Sequence, residues 1–351
     1  MKPASLAGLI VAGALAIGGG WYFGSATTPT QQRAIDAGAL MFPDLAPKLR
    51  DAARIEVVNK GKTTVLNRAA SGQWGIADRG GYRLQDSKLR AMLTSLTELR
   101  LIEARTADAE QYARLGVEDA ESANAGSNRL RVLNAAGQPI VDVIVGHRRV
   151  RTQGKVPEQV YVRRPGEAQT WLAEGNLQAD ADPQLWLDRD VVNIEHKRVS
   201  GVVSTRGSDV LIFGQEDGKL VLTSPTDHPR LEDYKVEDVA RALESLTFQD
   251  VRPDADAPGE EIGQAVFTLT DGMTVAARVL RADKDIWVRF AVTATEDKAK
   301  PDAERLAQRL GGWSYQVGSW KEKAFVPTIE DLKAAEKPEP EPEPTAEPAK
   351  P

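Results

Sequence analysis

Two short stretches of this sequence resemble catalytic motifs, and neither has the residues its chemistry needs. GQEDGKL (214–220) places three residues between its glycines and a leucine after its lysine. A phosphate-binding P-loop needs four residues there and a Ser or Thr after the lysine. GWSYQ (312–316) lacks the second glycine of a nucleophile elbow. The sequence therefore predicts that the chain is not the ATPase of a transporter.

The sequence gives little support for a metal site or a catalytic nucleophile. The three histidines, His147, His196 and His228, lie far apart, and none belongs to an HExxH pattern. A triad assembled in space stays open, although isolated histidines are the simpler interpretation. The chain has no cysteine, which excludes disulfides, thiolate metal ligands and cysteine nucleophiles.

The loop DADAPGEE (254–261) partly resembles a calcium-binding loop. Asp254, Asp256 and Gly259 occupy positions 1, 3 and 6 of such a loop. However, Pro258 stands at position 5 and Ala265 at position 12, so two ligands are missing. We predict a solvated loop.

Four aspartates in the middle of the chain could hold a cation: Asp180, Asp182, Asp188 and Asp190. The alternative is that they cap helices and pair with Arg189, and we favour it. The basic stretch HRRVRTQGK (147–155) could face lipid headgroups or an acidic partner, but we expect it to be solvated. We therefore predict no catalytic, cofactor-binding or metal-binding residues and no cofactor.

Composition is that of an ordinary folded protein. The 351 residues are 41% hydrophobic and 27% charged, with a formal net charge of −6. This length suffices for one large or two medium domains. The mild acidity gives no indication of a nucleic-acid partner.

The N-terminal sequence predicts the cellular location of the chain. Residues 3–23 contain no charged side chain and end in Trp-Tyr-Phe. A helix of this length spans roughly 30 Å, the thickness of a bilayer core. The positive charge precedes the run, so we predict a single-pass anchor (1–26) in the inner membrane with the rest of the chain in the periplasm. A signal peptide cleaved near Gly24-Ser25-Ala26 is the alternative.

Small residues recur at four-residue spacing within this run, at Ala4, Gly8, Ala12, Ala16 and Gly20. Such a row can form a groove for close helix pairing in lipid, although composition alone could also produce it. We expect a membrane-protein partner or self-association through this face.

The C-terminus reads AAEKPEPEPEPTAEPAKP (334–351). Because it offers no large apolar residue to bury, we predict an extended, polyproline-like, solvated tail.

Four segments occur twice, in the same order. Leu93-x-Ser95-Leu96-Thr97 is echoed 150 residues later by Leu243-x-Ser245-Leu246-Thr247. Each echo follows a predicted hairpin and a third strand (73–76; 219–223), with Tyr82 or Tyr234 near the helix start. Three-stranded meanders follow, closed by Tyr-Val-Arg (161–163) or Trp-Val-Arg (287–289). Helical spacing predicts that these helices bury the following residues: Leu89, Met92, Leu93 and Leu96, and Val239, Ala242, Leu243 and Leu246.

These patterns predict an α+β protein: a transmembrane helix and two tandem repeats, each a mostly antiparallel sheet with a packed helix. The predicted segments are the anchor 1–26, the first repeat 40–175, a connecting segment 176–196, the second repeat with a C-terminal helix 197–333, and the tail 334–351.

Several motifs resemble the bacterial domain-of-unknown-function 4340 family. They are MFPDL, the Trp-containing hairpin, YRLQDSKLRAMLTSLTELR, ARLGVED (113–119) and WLDRD (186–190). The second copy has Leu220 where the first hairpin has Trp74. The resemblance implies an envelope protein, often associated with ABC-type export or gliding-type transport components. The resemblance does not imply any particular biochemical activity.

We therefore expect a non-catalytic, membrane-anchored periplasmic accessory or scaffold of a transport assembly. The alternative is a periplasmic enzyme that acts on a cell-envelope polymer through carboxylates not yet identified.

Overall fold

The chain divides into two compact units. A computed structural model describes residues 38–149 and 157–334. One unit contains Met1–Val65 and Ser87–Pro183, and the other contains Leu66–Asp86 and Gln184–Pro351. The predicted anchor, the small-residue row and all but the first residue of the tail lie outside the described residues. Within those residues, no helix is long and apolar enough to span a membrane.

Strands dominate the described ranges. They are β1 (Ala39–Leu40), β2 (Ala52–Asn59), β3 (Lys62–Arg68), β4 (Trp74–Ile76), β5 (Tyr82–Arg83), β6 (Arg100–Ala104), β7 (Asn128–Asn134), β8 (Pro139–Arg149), β9 (Gln159–Arg163), β10 (Thr170–Glu174), β11 (Asp190–Val192), β12 (Val199–Arg206), β13 (Asp209–Glu216), β14 (Lys219–Ser224), β15 (Leu246–Thr247), β16 (Asp250–Pro253), β17 (Glu260–Leu269), β18 (Met273–Ala282), β19 (Asp285–Ala294) and β20 (Trp313–Val317).

The α-helices are short. They are α1 (Leu45–Lys48), α2 (Asp86–Glu98), α3 (Tyr112–Leu115), α4 (Asp233–Ala240), α5 (Lys300–Leu310), α6 (Lys321–Phe325) and α7 (Ile329–Leu332). Helix α5 ends at Leu310, directly before Gly311 and Gly312, and Gly312 has a φ of 80°. Thr328 forms a capping box with Asp331 at the start of α7, which satisfies backbone donors that the helix leaves free.

In the first unit the strand order is β1-β6-β10-β9-β8-β7-β2-β3. The pairs from β1 to β2 are antiparallel. Alternating residues of these strands are fully buried, among them Val57, Leu130 and Val162. Helix α2 buries Leu89, Met92 and Leu96 as predicted, whereas Leu93 is only half-buried.

In the second unit the strand order is β14-β13-β12-β17-β18-β19-β20-β16, with antiparallel pairing throughout. The core of this unit is aromatic: Phe213, Phe267 and Trp287 are each 0–2% exposed. The α+β class with mostly antiparallel sheets is thus confirmed. The predicted segment boundaries stay a prediction.

Residues 66–86 pack within the second unit, a grouping that the sequence pattern did not predict. The end of β3 pairs with β4, and β4 pairs with β5. The Tyr82 ring meets Phe248 and Trp313 edge-on, with centroids 5.3 and 4.9 Å apart. Tyr82 is fully buried, whereas Tyr234, its predicted counterpart, is exposed. Tyr82 is therefore a core residue of the second unit, whereas Tyr234 lies at its surface.

The second predicted helix was too long. Helix α4 ends at Ala240, and a 3-10 turn covers Arg241–Leu243. Ser245 has a φ of 45°, and Leu246 lies in β15, paired with Val192. The Ser245 amide donates to Asn193 Oδ1 at 2.9 Å. Asn193, which belongs to the connecting segment, accepts the hydrogen bond that the Ser245 amide would donate to a backbone carbonyl in a continued helix. Leu246 is therefore a buried strand residue and not a buried helix residue.

Candidate binding cavity in the second unit

A cavity of about 650 Å³ lies between β14, α4 and the loop that joins them. We call it the β14–α4 cavity. Its volume lies within the range of small-molecule sites, roughly 300–1,000 Å³. Strand β14 and helix α4 are neighbours because α4 packs on β12 and β14. The lining residues are His196, Val199, Gln215, Gly218, Lys219, Leu220, Val221, Leu222, His228, Arg230, Leu231, Asp233, Val236, Glu237 and Ala240.

The inner wall of this cavity is apolar. Val199 and Leu222 come from strands, and Val236 and Ala240 come from one face of α4 at i, i+4 spacing. All four side chains are buried. A ligand with a hydrocarbon body would therefore lose contact with water on entering.

The rim of the cavity is basic. Lys219 and Arg230 are exposed, and His196 and His228 are half-buried. Two of the three histidines that the sequence offered thus line one cavity. The third, His147, lies in the first unit against the turn at Gly116. Asp233 and Glu237 also lie among the residues that line the cavity, and Glu237 is paired with Arg241. Lys219 and Arg230 above an apolar wall suit a ligand or peptide segment with an apolar body and an acidic end.

Two carboxylates, Asp233 and Glu237, also line the cavity, and Glu237 forms an ion pair with Arg241. Glu237 Oε1 accepts hydrogen bonds from Arg241 Nε at 3.0 Å and from Arg241 Nη2 at 2.7 Å. These bonds lower the pKa of Glu237. Arg241 also donates to Glu244 Oε2, which lies 3.1 Å from His196 Nδ1. Glu237 therefore stays ionised at neutral pH, whereas a glycosidase acid needs a raised pKa.

A hydrolytic triad also lacks its nucleophile in this cavity. His196 and Glu244 form a histidine–carboxylate pair, but the residues that line the described cavity include no Ser, Thr or Tyr. The described lining of this cavity therefore contains no serine-type triad.

A second cavity of about 580 Å³ borders the WLDRD motif and α5. The Asp190 backbone carbonyl accepts from Arg83 Nη2 at 2.9 Å and from Arg309 Nη2 at 2.7 Å. Asp188 Oδ2 accepts from Arg83 Nε at 2.8 Å and from Arg309 Nη2 at 3.1 Å. Arg189 instead donates to the Phe248 carbonyl, so the predicted pairing of Asp188 with Arg189 was wrong.

The other sites that the sequence offered are occupied by protein partners. Asp180 pairs with Lys88 in the first unit. Asp254 Oδ1 accepts from Ser314 Oγ at 2.7 Å, so the DADAPGEE loop is held at this residue and not merely solvated. Arg148 of the basic stretch pairs with Glu158, while residues 150–156 lie outside the described part. In the described ranges, no group of three or more acidic or histidine side chains could hold a metal ion.

The ARLGVED loop of the first unit is clamped by the Tyr-Val-Arg triplet. Arg163 is 5% exposed, and its guanidinium lies 4.6 Å from the Tyr112 ring centroid. Its Nε donates to the Val117 carbonyl at 2.8 Å, and its Nη2 to Asp119 Oδ1 at 2.5 Å. Both motifs therefore serve packing.

Sequence reasoning missed the β14–α4 cavity because its residues come from separate segments. The local signal was the pattern of α4, where Asp233, Val236, Glu237 and Ala240 share one face at i, i+3, i+4, i+7 spacing. The positions of Lys219, His228 and Arg230 depend on how β14 and the following loop fold.

The fold defines a class: an α+β protein of mostly antiparallel sheets, whose second unit contains the β14–α4 cavity. A comparison with family models matches residues 74–264 to the domain of unknown function DUF4340. The chain belongs to this family. No curated protein and no solved structure matches the chain.

Proposed function

We propose that this chain is a non-catalytic accessory or scaffold protein of the bacterial envelope. In this proposal the charge-free run 3–23 anchors it in the inner membrane, and the folded part binds a component of an ABC-type or gliding-type transport assembly in the periplasm. The observation that carries the proposal is the β14–α4 cavity. It joins an apolar wall to a rim that carries Lys219 and Arg230, and Glu237, one of its two carboxylates, is paired with Arg241.

The two sheets support a tandem repeat within this proposal. The order β6-β10-β9-β8-β7-β2-β3 corresponds strand by strand to β16-β20-β19-β18-β17-β12-β13. Arg289, the counterpart of Arg163, also holds a loop, since it donates to the Asp254 carbonyl at 2.9 Å. An experimental structure in which the two sets have different strand directions would contradict the repeat.

The experiment is cross-linking in intact membranes followed by purification of the full-length chain. We expect a membrane transport protein to co-purify. The double variant Lys219→Glu with Arg230→Glu should reduce its recovery roughly tenfold, which corresponds to about 1.4 kcal/mol. The matched control is Lys48→Glu with Lys62→Glu, two exposed lysines of the first unit, and it should bind normally.

Two results would count against the proposal. One is equal recovery with the rim variant and the wild-type chain. The other is release of soluble fragments from cell-envelope polymers by the purified protein, with loss of that release in Glu237→Gln, which would favour the enzyme.

A further inference from the structure

A second concave surface lies on the opposite side of α4 from the β14–α4 cavity. It is a groove of about 270 Å³ between α4, α6 and α7. Tyr234 and Trp320 flank it, and we call it the Tyr234–Trp320 groove. The other lining residues are Lys235, Asp238, Lys323, Ala324, Asp331 and Leu332.

The two aromatic side chains are unusually accessible. Tyr234 is 62% exposed and Trp320 is 67% exposed, the highest values among the large hydrophobic residues of the described ranges. Trp320 is also held in place. A side chain at Gly318 would lie 2.6 Å from the indole Nε1, so the glycine lets the ring lie against the backbone. Positioned, exposed aromatic rings are the usual platform for proline-rich segments.

The described chain ends beside this groove. Leu332 lines the groove, and the Lys333 carbonyl accepts from Lys235 Nζ at 2.8 Å. The Ala334 amide donates to the Arg230 carbonyl at 2.8 Å. These bonds fix the point from which residues 335–351 continue.

The sequence of the following residues fits the groove chemically. Residues 336–344 read EKPEPEPEP, which alternates proline with glutamate. Such a sequence favours the polyproline II conformation, at about 3.1 Å per residue, and needs little further ordering to bind. Seventeen residues at that rise reach roughly 50 Å, more than enough to return to a groove next to Leu332. The Lys323 ammonium at the rim is 3.0 Å from the Asp331 carboxylate. Because the Lys323 side chain is 70% exposed, its ammonium can also reach an incoming glutamate.

We propose that the Tyr234–Trp320 groove is a recognition site for acidic proline-rich segments and that the chain's own residues 336–344 occupy it. The prolines stack on the two rings, and the glutamates meet the lysine ammonium groups. The tail is then an intramolecular competitor, and any external proline-rich segment must displace it. This inference does not depend on the membrane anchor or on the β14–α4 cavity.

The test uses the absence of native cysteine in the full-length chain. The pair Asp238→Cys with Pro342→Cys places one thiol in the groove lining, where both lysines are kept, and one in the tail. Under mild oxidation we expect an intramolecular disulfide to form roughly tenfold faster than in the control pair Lys284→Cys with Pro342→Cys. Lys284 is an exposed residue of the turn between β18 and β19 in the same unit.

Two further variants separate aromatic recognition from simple proximity. Adding Tyr234→Ala and Trp320→Ala to the reporter pair should slow cross-linking roughly fivefold. Because both side chains are exposed, thermal unfolding should show that the fold is retained. Replacing the tail prolines at 338, 340 and 344 by alanine should slow the disulfide cross-linking by a similar factor.

Three outcomes would overturn the proposal. They are equal rates for the Asp238 and Lys284 pairs, no effect of removing the aromatic rings, and a disulfide that joins two chains in place of one. The last outcome would assign the groove to a second copy.

Discussion

Arg83 and Asp188 form an ion pair in the second unit, with Arg83 Nε 2.8 Å from Asp188 Oδ2. Their side chains are 12% and 22% exposed. Arg83 follows Tyr82 in β5, while Asp188 belongs to the WLDRD motif, more than a hundred residues further along the chain. The pair therefore helps to hold residues 66–86 in a unit formed otherwise by the second half of the chain.

Replacing Asp188 by alanine should destabilise the second unit by about 2–4 kcal/mol, because Arg83 and Arg309 would then lie together without their shared anion. The measurement is urea unfolding followed by tryptophan fluorescence. The control is Asp302→Ala, which removes the exposed pair with Arg305 and should cost less than about 0.5 kcal/mol. Equal losses in the two variants would contradict this role of Asp188.

Arg163 should be necessary for order in the ARLGVED loop. Arg163→Lys keeps the charge but cannot donate to the Val117 carbonyl and Asp119 together, so we expect a loss of about 1–3 kcal/mol. Hydrogen exchange of peptides that cover residues 112–119 should accelerate accordingly. The exposed Arg114→Lys serves as the control and should leave the exchange unchanged. Unchanged protection in Arg163→Lys would mean that the clamp does not stabilise the loop.

Lys321 should make stability depend on pH. It is 6% exposed, and its Nζ donates to the Ala242 carbonyl at 2.8 Å. Burial lowers the pKa of Lys321 from 10.5 to about 8, against the opposing effect of Asp238 and Glu244. Between these pH values the unfolded chain binds more protons than the folded chain. The free energy of unfolding should therefore rise with pH across this window, by at most about 3 kcal/mol.

The measurement for Lys321 is urea unfolding at several pH values from 7.5 to about 10.5, compared between variants. Lys321→Met should lose this part of the rise, whereas the exposed Lys284→Met should keep the wild-type profile. Identical pH profiles for all three proteins would refute the assignment.

The N-terminal run should remain attached to the mature protein. Mass spectrometry of the membrane-extracted chain should recover a peptide that contains Trp21, and a mature chain that begins near Thr27 would show that the run is a signal peptide. Replacing Gly8 and Ala12 by leucine should leave insertion intact because leucine is at least as apolar. If the row of small residues pairs helices, co-purification should weaken, whereas normal association would assign the contact to the folded units.

The sequence predicted most elements whose pattern is local. The alternating strands and α2 with its buried Leu89 and Leu96 follow from periodicity. Elements decided by distant partners were missed. Leu-x-Ser-Leu-Thr is helical in the first copy, but in the second copy Asn193 captures the Ser245 amide and the helix ends early.

The same limit applies to the sites. Spacing within α4 predicts which side chains share a face, but not that β14 supplies the opposite wall of the cavity. Likewise, the grouping of residues 66–86 with the second unit depends on contacts such as the Gln85 amide with the Trp186 carbonyl at 2.8 Å. A local sequence pattern cannot predict a contact between two residues that lie so far apart in the chain.

The most direct test of the accessory role is photo-cross-linking from inside the β14–α4 cavity of the full-length, membrane-bound chain. A photoreactive residue at Leu220 should link to an integral protein of a transport assembly, identified by mass spectrometry, while the same residue at Lys284 should not. The link should disappear when Lys219 and Arg230 are both replaced by glutamate. A Leu220 probe that links only to lipid, or that links equally well with the basic rim reversed, would contradict the account.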